Sequence, residues 1–134
     1  MDYKLEVVPV AVADVEKAKL FYSEQLGFVA DHDTQISADV RVVQLTPPGS
    51  ACSIVIGADT GAAPGTVRGL QLVVTDIDAA RAELAGRGVE VSEVQHYSKD
   101  GTMAAGKGGE WNAFAFFSDL DGNGWVLQEG PGRG

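Results

Sequence analysis

A single cysteine, Cys52, rules out a disulfide within the chain, and a lone free thiol fits a reducing compartment. No apolar run approaches the ~18 residues that a membrane-spanning helix needs. The opening residues, MDYKLEVV, lack the charged-then-apolar pattern of a secretory signal. A cytoplasmic protein with no membrane partner is therefore expected. Basic residues are scarce: 10 Lys and Arg stand against 19 Asp and Glu, a formal charge of −9. That charge repels phosphates and anionic headgroups, so nucleic acid is not an expected partner either. The one basic grouping near a loop, Lys99 and Lys107, is offset by Asp100 and Glu110. Also missing are the GxSxG elbow, the phosphate-binding loop, CxxC and HExxH, each of which would carry its own chemistry.

Apolar residues make up 45% of the 134, enough for a real core in one compact domain. The most informative feature is an internal repeat. Pro48-Gly49-Ser50 matches Asp121-Gly122-Asn123 at a separation of 73 residues, each a Gly-containing turn between two apolar stretches. Upstream, Pro9 to Val15 matches Gln71 to Ile77 at a separation of 62. Two echoes in the same order indicate a duplicated module, the second copy longer by 11 residues. The expected organisation is a first module over 1–57, a linker over 58–67 rich in Gly, Ala, Pro and Thr, and a second module over 68–134.

Val-rich Leu5 to Ala13 reads as a strand. Asp14 caps a helix whose apolar residues recur at helical spacing as far as Leu26, and Gly27 ends it. Strands are expected at 28–36, 39–45 and 51–57. In the second module the same reading gives a strand at 68–75, a helix from the Asp76 cap to Arg87, and strands at 89–95, 112–118 and 124–129. The 11 extra residues fall in a long Gly-rich loop, 96–111. Each module is then β-α-β-β-β, and the fold class is α+β.

Two βαβββ modules, the segment AVADVEKAKLFYSEQLGF and the turn SDLDGNGWVLQE resemble the vicinal oxygen chelate superfamily, also known as the glyoxalase/bleomycin resistance/dioxygenase proteins. The resemblance spans about Leu5 to Glu129. One departure is Leu120, where the family usually has Pro. The resemblance implies a cup-shaped mixed sheet with helices outside, and a homodimer. In metal-dependent members it also implies His, Glu or Gln ligands at one position on the first strand and one on the last strand of each module. Here those positions hold Val7, Ser53, Gly69 and Val126. Two valines, a glycine and a hydroxyl cannot grip a divalent ion, so neither metal nor other cofactor is expected. Neither His32 nor His96 has a partner at ligand spacing.

Strand alternation turns those positions into a lining. Facing inward with them are Pro9, Val42, Gln44, Val55, Gln71, Val73, Phe114, Phe116, Gly124 and Gln128. The lining is apolar and uncharged, with three neutral amides and a serine. It suits a small apolar or aromatic ligand, or else the side chains fill the cup themselves. Loop 96–111 is a lid in which Tyr97, Met103 and Trp111 close on a guest, or a plain surface loop, or a dimer contact. Trp125, of opposite parity to Val126, is expected beneath a helix or at an interface. Asp119 to Gly124 reads as turn chemistry, and Cys52 as a small apolar side chain.

These residues favour metal-independent binding, as in the bleomycin-resistance-like members that sequester an antibiotic or other natural product. The alternative is a lyase, isomerase or cyclase using His96 and Tyr97 as general acid and base. A third reading is a metal enzyme with unfamiliar ligands.

Overall fold

The computed structural model describes residues 1–131; residues 132–134, the end of the second expected module, lie outside the described residues. The protein is α+β, with two mixed sheets of four and five strands. Two compact units emerge. One comprises Met1–Val67 together with Asp119–Asn123, and the other comprises Arg68–Ser118 and the described residues from Gly124 onward. The 58–67 segment thus goes with the first unit.

In the first unit, strands β1 (Val7–Val10), β2 (Val29–Gln35), β3 (Arg41–Thr46) and β4 (Ser53–Ile56) form a sheet in the order β1-β4-β3-β2, with only β1 and β4 parallel. Helix α1 (Val15–Leu20) covers one face, packing on β3 and β4. Asp14 starts it: the extended backbone there lets the carboxylate accept the Lys17 N–H at 3.0 Å. The helix expected to run on to Leu26 instead widens into a π-helical turn, Phe21–Gln25, closed by the bond from Leu26 N–H to the Phe21 carbonyl. That turn buries the consecutive Phe21 and Tyr22, whose rings meet edge-on at 5.3 Å. Val10, Val43, Leu45, Ile54 and Ile56 complete the core of this unit.

The second unit repeats the plan. Strand β5 (Leu70–Val74) lies parallel to β9 (Gly124–Glu129), which pairs with β8 (Phe114–Ser118). Helix α2 (Ile77–Gly86), capped by Asp76, packs on β8 and β9. On that face Phe117 and Trp125 stack at 6.1 Å with nearly parallel planes, above buried Leu127 and Ala115. Trp125 therefore packs beneath a helix.

The strand expected over 89–95 is the main correction. Only β6 (Gln95–Tyr97) forms; upstream of it the ladder with β8 is interrupted, keeping the bond from the Ser92 N–H to the Phe116 carbonyl at 2.9 Å but meeting the Phe116 N–H with a side chain. The Ser92 hydroxyl accepts the Phe116 N–H at 2.9 Å, and Arg81 from α2 donates to the Ser92 carbonyl at 2.7 Å. The expected loop 96–111 is not structureless. It holds β7 (Met103–Ala105), which pairs antiparallel with β6 and completes the order β5-β9-β8-β6-β7. The hairpin tip is an Asp-Gly turn: Asp100 accepts from both the Thr102 N–H and its hydroxyl, and Gly101 adopts φ 85°.

The turn Asp119–Asn123 is a hub of the first unit. The Asp119 carboxylate accepts from the Tyr22 hydroxyl at 2.6 Å and from the Asn123 side-chain amide at 2.8 Å. Fully buried Asn123 donates to the Ala11 carbonyl at 2.9 Å and accepts the Val67 N–H at 3.1 Å. Gly65, with φ 81°, passes so close that a β-carbon there would stand 2.1 Å from the Asp121 carbonyl oxygen.

Candidate ligand-binding site

Each sheet has one face under a helix and one face open, and register assigns the side chains. In the first unit Val7 lies opposite Ser53, Pro9 opposite Val55, and Gln44 opposite Val55. Val7, Pro9, Val42, Gln44, Ser53 and Val55 therefore share the open face. A bulge between Ala30 and His32 on β2 puts both Asp31 and His32 toward this face as well. One end of the face is closed by polar contacts. Thr46 donates to the Asp31 carboxylate, and its hydroxyl oxygen lies 2.6 Å from that of buried Ser53. With the Thr46 proton committed to Asp31, Ser53 is the donor of that second bond. Gln44 makes no side-chain hydrogen bond to another described residue, so both ends of its amide are available.

On the helix face of the same sheet, Asp33 is held by Arg41 and by Lys19, the latter at 2.7 Å, and Arg41 also reaches Glu16. The hydrogen bond from Arg41 and then that from Lys19 hold the Asp33 carboxyl well below the ordinary carboxylate range, and Asp33 raises Arg41 in return.

The second unit's open face is aromatic. Gln71 lies opposite Val126, which lies opposite Phe116; Val73 lies opposite Gln128, which lies opposite Phe114, with Gln95 next in that row. Tyr97, two residues on from Gln95, shares the face and meets the Phe114 ring edge-on at 5.3 Å; Met103 stands opposite Tyr97. Exposure is substantial: 36% at Phe116, 50% at Tyr97 and 51% at Val73. These side chains do not fill their face by themselves. His96 leaves β6 on the side opposite Tyr97, and its Nδ1 is 2.9 Å from the Gly106 carbonyl oxygen. The two residues expected to share proton transfer thus point to opposite faces.

The 106–112 segment borders this face. Asn112 clasps it to β6, accepting the Tyr97 N–H at 2.8 Å and donating to the Tyr97 carbonyl at 2.9 Å. Trp111, next to it, has φ 62°, the left-handed region that a bulky side chain rarely enters. Its carbonyl accepts the Gln128 Nε2–H at 2.8 Å, and Gln128 Oε1 accepts from Gln71 Nε2. Two of the three expected glutamines are therefore joined in one amide chain, a coupling that linear reading of the sequence did not reveal. Lys107 bridges Asp78 and Glu129, and its bonds to those two carboxylates raise it above the ordinary lysine range.

The positions where the resemblance implies metal ligands do not fit a cation. Val7 and Val126 have no donor, the Ser53 hydroxyl is buried against Thr46, and Gly69 precedes β5. Across the sheet from Val126 stands Gln71 rather than Gly69. One neutral amide oxygen does not replace several anionic or imidazole donors. Among the described residues no group of three or more His, Cys, Asp or Glu side chains converges. A separate shallow recess of about 270 Å³ in the first unit is lined by Ala11, Val12, Val15 and residues of the 57–64 stretch, without an aromatic wall.

Residues 4–127 match the family described as the Glyoxalase/Bleomycin resistance protein/Dioxygenase superfamily. Among solved structures, the antibiotic binding protein TnmS3 from Streptomyces sp. CB03234 is 34% identical, with 97% of this chain and 98% of that one covered and a TM-score of 0.77. A glyoxalase/bleomycin resistance protein from the same organism is 36% identical over 93% of this chain and 99% of that one, TM-score 0.73. A member of the superfamily from Sphaerobacter thermophilus DSM 20745 is 30% identical over 96% and 98%, TM-score 0.74. No curated protein matches.

Proposed function

The chain belongs to the Glyoxalase/Bleomycin resistance protein/Dioxygenase superfamily, and from that premise we propose that it binds a small apolar or aromatic molecule, sequestering it without a metal. The observation that carries this reading is the open face of the second unit: Tyr97, Phe114 and Phe116 with Val73, Met103 and Val126, all partly exposed and none charged. Exposed aromatic rings on a fixed sheet gain by covering a flat guest, and neutral amides at the margin orient it. The similarity to a protein described as antibiotic binding supports an antibiotic or other natural product as the guest class. The donor set at Val7, Ser53, Gly69 and Val126 supports metal independence. The first unit's open face, with Val7, Pro9, Val42, Gln44, Ser53 and Val55, is the second candidate surface. A cytoplasmic homodimer is part of the same reading, and exposed Tyr3, Leu5, Val29 and Ile36 supply apolar surface for a second copy.

The test is a titration of polycyclic aromatic and peptide antibiotics read by tryptophan fluorescence. Trp111 is 37% exposed beside the aromatic face, whereas Trp125 is 3% exposed under the helix. Saturable quenching that disappears in Trp111→Phe, and an affinity unaffected by EDTA, are expected. Gln44→Ala reads the contribution of the first face in the same assay. Absence of saturable quenching across the panel overturns the binding reading. Stoichiometric metal in the purified protein overturns its metal independence, and a monomer in sedimentation at working concentration overturns the dimer.

A further inference from the structure

Building on that binding reading, we infer that the second unit's face selects guests that carry a hydrogen-bond donor (a phenolic or enolic hydroxyl, or an N–H) on a flat apolar body, and that Gln71 Oε1 is the group that reads it. One partner in the chain has a chemistry that cannot change. The Trp111 carbonyl only accepts, so Gln128 must present its NH₂ there, as it does at 2.8 Å. That directs Gln128 Oε1 at Gln71, which must answer with its own NH₂. Gln71 Oε1 is left as the outer end of the chain, and no other described residue donates to it. Turning over either amide alone would set like against like, O against O or NH₂ against NH₂. The direction of the whole chain is thus fixed by a backbone group.

That backbone group is itself held in place. Trp111 precedes Asn112, which is clasped to β6 through both ends of its amide. Consecutive amides also polarise one another, making the terminal oxygen a better acceptor than an isolated amide. Gln71 stands in one row with Val126 and Phe116. A ring lying on Phe116 and Val126 therefore brings an edge substituent to Gln71 Oε1. Gln44, with both amide ends available, carries no such preference.

Fluorescence titrations with 2-naphthol, 2-methoxynaphthalene and naphthalene test the inference, the last two being larger and smaller than the first but without a donor. The expected result is that 2-naphthol binds about tenfold more tightly than either analogue, the effect of one well-made hydrogen bond. Gln71→Leu removes the preference while binding of 2-methoxynaphthalene persists. Gln128→Leu releases the Gln71 amide to turn over and shrinks the preference. Equal affinities in the native protein, or a preference that survives in Gln71→Leu, overturn the inference and leave the binding reading standing. No saturable binding of any of the three by folded protein also overturns the inference, while the antibiotic titration decides the binding reading separately.

Discussion

At Trp111 the backbone takes a conformation that costs of order 1–3 kcal/mol, and the ring is pressed onto a glycine. A β-carbon at Gly130 would stand 2.3 Å from the Trp111 ring. Gly130→Ala is therefore expected to displace the indole, weaken aromatic ligands and shift the Trp111 emission, while the Trp125 contribution stays put. Destabilisation of roughly 1–3 kcal/mol accompanies it. If the emission and the ligand affinity of Gly130→Ala match the native protein, the ring is not seated as described. Asn123 gives a purely structural contrast. Its side chain is wholly buried and joins Ala11, Val67 and Asp119. Asn123→Ala removes those three buried hydrogen bonds, each worth about 0.5–1.5 kcal/mol, so a loss of roughly 2–4 kcal/mol is expected in denaturant unfolding. Tyr22→Phe removes a single bond to Asp119 and is expected to cost about 1–2 kcal/mol.

At the scale of elements, β2 is held to α1 and β3 by the Asp33 cluster, and this gives a signed pH dependence. Asp33 is depressed in the folded protein, by Arg41 first and Lys19 second. Its contribution is complete above the unfolded carboxylate value, about 3.9, and is lost as pH falls through the lower folded value. Asp33→Asn is expected to lower stability slightly and evenly at neutral and alkaline pH and to flatten its fall below about pH 4. An acid limb identical to the native one counts against the cluster. The effect is small because these groups meet solvent. The β1, β4, β5 and β9 strands and both helix starts were legible in the sequence, since period-two alternation and the Asp14 and Asp76 caps are local signals. The family resemblance supplied Val7 and Val126 as cup-facing positions, and alternation along the strands extended that face to Gln44, Gln71 and Phe116. Two features were not legible. Residues 89–94 have strand-like composition, but beside the bond from the Ser92 N–H to the Phe116 carbonyl the ladder gives way to the Ser92 hydroxyl and Arg81, a tertiary substitution no local pattern encodes. The β6–β7 hairpin did have a signal, the Asp100-Gly101 turn, which the glycines of the 96–111 segment obscured. The Gln71–Gln128–Trp111 chain joins residues 57 and 17 positions apart, so only register could bring it out.

At the scale of the whole molecule, an uncharged face sits within a chain of formal charge −9. The two properties act on a ligand over different ranges. Contacts with Phe114, Phe116 and Val126 are short-ranged and indifferent to salt, whereas the net charge acts through solvent and is screened over about 8 Å at physiological ionic strength. A neutral aromatic guest is therefore expected to bind with an affinity that changes less than about twofold between low and high salt. A cationic analogue of the same ring system is attracted by the chain's charge and weakens as salt rises. An anionic analogue is repelled and strengthens. Affinities for the three across a sodium chloride series separate the contributions. A neutral guest whose binding falls steeply with salt would mean that charged side chains hold it, which the open face of the second unit does not provide; the site would then have to be sought at the Asp33 or Lys107 clusters instead.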